Sequence, residues 1–98
     1  MTTKLSEHPY VRPELMEFVL RMEDKLRRND HKTSWKKQPI EAHLRLLKIE
    51  LQEFEVAYEF FGRDEAANEL VDIANFAMIL FNKLKHENKV QDEQSVST

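Results

Sequence analysis

A single glycine, Gly62, stands between two long stretches patterned as helices, and this most limits what the chain can fold into. Upstream of it, Ile40, Leu44, Leu47, Leu51, Phe54, Tyr58 and Phe61 recur in alternating steps of four and three, a heptad-like seam that begins just after Pro39. Downstream lies the most apolar stretch of the chain, Leu70 to Phe81, in a helix expected to run to about Lys85–Glu87. Gly62 reads as the left-handed residue that ends the second helix, and Asp64 as the N-cap of the third. So short a link forces the two helices into an antiparallel hairpin. One glycine and three prolines leave few other places to turn, which favours a few long helices over a sheet.

A first helix precedes the hairpin. From Pro13, which suits a first-turn position, Leu15, Phe18, Val19, Met22 and Leu26 repeat at helical spacing until Asn29–Asp30. Residues 1–12 read as an irregular lead-in, 13–87 as the helical domain and 88–98 as a polar, disordered tail. His31 to Gln38 forms a basic loop around Trp35. Leu46, Ile49, Val56 and Phe60 make a second apolar strip on another side of the second helix. A helix with two apolar faces must pack twice, and in so short a chain the second surface is another subunit. The expected fold is all-α, an antiparallel bundle of three to four helices per chain whose core is completed by oligomerisation.

Composition removes several function classes. A formal charge of −3, with basic residues scattered along the chain, argues against nucleic-acid or anionic-membrane binding. The absence of cysteine excludes a disulfide framework, a thiolate nucleophile and Cys-ligated zinc. The four histidines, His8, His31, His43 and His86, show no paired spacing and read as surface residues. With no leader-like apolar segment and no run of transmembrane length, the expected compartment is the cytoplasm.

Against this background Asp72 is out of place, because a carboxylate among aliphatic neighbours needs a partner. Glu69 lies one helical turn before it on the same face, and Glu50 and Glu53 repeat the spacing in the preceding helix. At ~1.5 Å rise per residue, Glu53 lies roughly 14 Å and Asp72 about 15 Å from Gly62, so the two pairs stand level across the hairpin. Glu50 and Glu53 flank the main seam, while Glu69, Asp72, Phe76 and Lys83 share one strip of the third helix. Four ionised carboxylates at close quarters repel one another, and a divalent cation relieves that. Magnesium is the expected ion, since it takes a few carboxylates and fills its other positions with water and phosphate.

The pattern Glu50-x-x-Glu53, fifteen residues, Glu69-x-x-Asp72 resembles the metal motif of the MazG-like all-α nucleoside triphosphate pyrophosphohydrolases. The loop ending in Trp35, Leu44-Arg45-Leu46-Leu47-Lys48, and Asp72-Ile73-Ala74-Asn75-Phe76-Ala77-Met78 look like that family too, so the resemblance covers roughly residues 14–86. Two departures stand out. Ile49-Glu50 replaces the doubled acid common in relatives, and Thr33-Ser34 stands where many carry glycine before the tryptophan, which leaves nucleotide preference open.

The resemblance implies magnesium-dependent hydrolysis between the α- and β-phosphates of a nucleoside triphosphate, with manganese as a substitute ion and a homodimer or dimer of dimers as the assembly. It implies metal ligation by Glu50, Glu53, Glu69 and Asp72, with Glu53 the first choice for the base. Asn75 then has two readings, a hydrogen bond to the sugar or a metal-bound water, or an amide bridging two helices. Trp35 is a base-stacking platform or a packing residue. Lys32, Lys36 and Lys83 are phosphate contacts or solubilising surface lysines. The competing class is a helical interaction module that keeps the bundle without the chemistry.

Overall fold

The computed structural model describes residues 10–29 and 37–86, which form three α-helices and, among the described residues, no strand. The loop carrying Lys32, Trp35 and Lys36, most of the lead-in, and the tail lie outside the described residues. Helix α1 spans Pro13–Asn29, α2 spans Ile40–Val56, and α3 spans Arg63–His86. Pro13 opens α1, where its missing N–H is not needed, and the Arg12 carbonyl accepts from Leu15 and Met16 at 3.1 Å each. Pro39 precedes α2 as an extended N-cap residue whose carbonyl accepts from Ala42 and His43.

Between α2 and α3 the chain widens into a π-helical turn, Ala57–Phe61, closed by the Gly62 N–H donating to the Ala57 carbonyl at 3.0 Å. Gly62 does have the positive φ expected of it, 104°, but its ψ of 173° is extended, so α2 does not end in a left-handed helical cap. The start of α3 differs as well. The Gly62 carbonyl accepts from Ala66 at 3.0 Å, so α3 begins at Arg63, and Asp64 sits inside the first turn, where its charge favours the positive helix end.

Helix α3 is central. It packs most extensively on α2 and is also flanked by α1. The buried apolar residues are small or β-branched: Ala57, Ala66, Val71 and Ile79. The face that α2 turns inward is shifted from the expected seam. Ile40, Leu47 and Phe54 are half-buried as expected, but the positions between them are filled by His43, Glu50 and Ala57. Leu44, Leu51 and Tyr58, one residue further on in each case, are exposed. This corrects the reading of His43 as a surface residue. It is 2% exposed, its Nδ1 lies 3.3 Å from the Pro39 carbonyl, and its ring centroid is 6.3 Å from that of Phe76. The second strip, Leu46, Ile49, Val56 and Phe60, is exposed along its length. Among the described residues no helix is long and apolar enough to cross a membrane.

Candidate metal centre

Glu50 occupies the inward face of α2, and Glu69 and Asp72 lie one turn apart on α3. The hairpin brings one carboxylate oxygen of each within 4.8 Å of the others. These are hard oxygen donors of the kind magnesium takes, and oxygens around one such ion stand about 3–4 Å apart at its ~2.1 Å bond length. Small side-chain adjustments therefore suffice. Glu50 Oε1 and Glu69 Oε1 are buried and have no hydrogen-bond partner. Two ionised carboxylates cannot satisfy each other, since neither donates. A cation or a shared proton can satisfy both.

The electrostatics show how closely the acids are coupled. Burial, then the charges of Glu53 and Asp72 and the adjoining Glu69 carboxyl, push Glu50 up to about 7. A proton on Glu50 near neutrality would be donated to Glu69, and a divalent ion would replace it.

Glu53 stands apart from this group of three. It lies on the exposed side of α2 and, with Glu65 and Glu69, lines a groove of about 430 Å³ whose other walls include Ile49, Val56 and Phe61. It is still close enough to raise the proton affinity of Glu50. On the opposite side, Glu50 and Asp72 line an open cavity of about 540 Å³ together with Lys25, Arg28, Asn29 and Phe76. A smaller one, about 330 Å³, is walled by Leu26, Leu46, Phe76 and Ile79 and reaches Lys25, Asp72, His43 and Asn75.

Asn75 makes the interhelical bridge. Its Nδ2 donates to the Met22 carbonyl of α1 at 3.2 Å, while its Oδ1 is buried without a partner. Lys83 is not the surface lysine that the second sequence reading made it. It is 1% exposed, which rules out a solubilising surface role. It also stands about 16 Å beyond Asp72 along α3 and lines none of the three cavities beside the carboxylates.

Sequence reasoning missed Lys25. Its Nζ donates to Asp72 Oδ2 at 2.8 Å, and this ammonium is the partner that Asp72 required. The signal was present but faint, since Lys25 falls on the half-buried stripe of Val19, Met22 and Leu26. The site is thus three carboxylates drawn together by a hairpin, with a cation from α1 on one of them. Compared with known proteins, the chain matches no family model, no curated protein and no solved structure.

Proposed function

We propose that this chain is a magnesium-dependent nucleoside triphosphate pyrophosphohydrolase of MazG-like type, acting in the cytoplasm as a homodimer or dimer of dimers. The observation that carries the reading is the convergence of Glu50, Glu69 and Asp72, with two buried oxygens lacking donors, at the spacing that resembles that family's motif. These three would hold the ion, with Glu53 as a fourth carboxylate at the rim. When bound, magnesium supplies neutralisation of phosphate charge and a lowered pKa for water. Glu53, exposed beside the cluster, is the first candidate to take the proton from the attacking water. The open cavity beside Glu50 and Asp72 gives the polyphosphate room, with Lys25 and Arg28 on its wall.

Pyrophosphate release from a panel of canonical and modified nucleoside triphosphates tests this directly. Metal-dependent release is expected, with Asp72→Asn lowering turnover by at least about 100-fold, as for loss of a metal ligand. The Lys25–Asp72 pair favours a second reading, since a carboxylate already neutralised by lysine serves a helical interaction module as well. Silence across the panel from folded protein, together with no magnesium effect on melting temperature, would select that module.

A further inference from the structure

Lys25 does more than neutralise a carboxylate. Its side chain is 16% exposed and that of Asp72 26%, so their 2.8 Å contact is largely withdrawn from water. It nevertheless satisfies one acid of the three. Glu50 Oε1 and Glu69 Oε1 remain without donors, and so does Oδ1 of Asn75, which is 7% exposed and lines the same 330 Å³ cavity as Lys25 and Asp72. The larger cavity is lined by Lys25, Arg28, Glu50 and Asp72 together, Arg28 being also paired with Asp24 at 2.7 Å. Cations and acids facing one open space suit a ligand that is itself of mixed charge, a metal ion with an anion attached.

An ammonium on Asp72 Oδ2 and a divalent ion on the same carboxylate repel each other strongly at such separations. That repulsion favours movement of the lysine, which is the partner free to turn away. Its charge rides on a flexible four-carbon stem with three rotatable donors, which bind phosphate as a point charge.

Resting on the metal-centre reading above, we propose that Lys25 is a displaceable counter-ion: it holds Asp72 in the metal-free protein and releases it to the divalent ion. Its ammonium then turns to the phosphate oxygens that arrive with the metal. The lysine so couples metal loading to anion binding. It is a positioning residue for the phosphates, drawn from α1, outside the hairpin that supplies the carboxylates.

The test uses the full chain and two probes, Mn²⁺ alone and inorganic pyrophosphate with Mg²⁺. Lys25→Met keeps the stem and removes the charge. It is expected to bind Mn²⁺ about fivefold or more tightly than the parent, as loss of one adjacent positive charge implies, and Mg²⁺–pyrophosphate about tenfold more weakly, as loss of a charged hydrogen bond implies. A purely structural lysine predicts the opposite for the metal, a weaker site, and that result overturns the proposal. Unchanged pyrophosphate affinity overturns it too. Should the variant not fold, the native protein decides: Mg²⁺ titration must shift the Lys25 side-chain ¹³Cε and ¹⁵Nζ resonances, and a bound metal that leaves them in place refutes the exchange. Absence of any Mn²⁺ binding by the parent brings down the metal-centre reading itself, and the proposal with it.

Discussion

Glu50 is the residue at which the electrostatic strain of the site collects. Its carboxyl titrates at about 7 in the folded chain against 4.5 ordinarily, so between these values the folded state binds more protons than the unfolded one. Metal-free stability must therefore fall as pH rises from about 4.5 through about 7, and stay at the lower level above that. Other carboxylates titrate in the acid part of the range, so the useful quantity is the difference between the parent and Glu50→Gln. Thermal melts at several pH values should show the variant gaining on the parent as pH rises, since its amide carries no charge and can donate to Glu69. Magnesium should narrow that gap, because the ion replaces the proton on Glu50 and its binding strengthens with pH across the same window. A parent–variant difference that is flat with pH would mean that Glu50 does not hold its proton to neutrality. The acids Glu50, Glu69 and Asp72 were legible in the sequence because their i, i+3 spacing and the hairpin together place them. Lys25 was not, because it comes from α1, whose rotation against α3 no turn between the two helices fixes.

At the scale of the elements, Gly62 sets the register that makes three carboxylates meet. With φ at 104° and ψ at 173°, it lies in a region essentially reserved for glycine. An added Cβ would meet no atom within 4 Å, so the penalty for any side chain there is backbone strain alone. Gly62→Ala should cost about 1–3 kcal/mol in urea unfolding. It should weaken magnesium stabilisation as well, since the π-helical turn and the α3 N-terminus hang on this residue through the Ala57 and Ala66 hydrogen bonds. An alanine variant as stable as the parent would mean the turn relaxes without cost. The starts of α1 and α2 were readable because Pro13 and Pro39 each impose a backbone constraint, whereas Gly62 marked the break before α3 but not the π-helical form of the turn. Which face of α2 points inward was not readable. A step of three or four admits His43 or Leu44, Glu50 or Leu51, and Ala57 or Tyr58, and apolarity alone selects the wrong member of each pair. The structure takes the polar or small one: α3 presents Phe76 to the His43 ring and Glu69 and Asp72 to Glu50, and Ala57 is 2% exposed. Polar residues at the interface of α2 and α3 displaced the hydrophobic signal.

For the whole molecule, that displacement leaves apolar surface in need of cover. Leu44, Leu51 and Tyr58 are exposed on one flank of α2, and Leu46, Ile49, Val56 and Phe60 on the other, with Phe60 at 73%. Among the described residues the buried apolar side chains, by contrast, are two alanines, a valine and an isoleucine, and α1 buries none fully. Such a division between outside and inside fits a protomer whose core is completed by a second copy. Light scattering after size exclusion should report a dimer or tetramer at micromolar concentration, with a melting temperature that rises with protein concentration. Phe60→Lys discriminates cleanly. Its side chain makes little contact within the chain, so the replacement should change the protomer's own stability by no more than about 0.5 kcal/mol. In a subunit contact built on this strip it would, however, set a charge against apolar surface. The expected result is a smaller particle whose melting temperature no longer depends on concentration. A parent that is already monomeric, with Phe60→Lys indistinguishable from it, would show that these strips are bare in solution and that the three helices are stable with the core they bury alone.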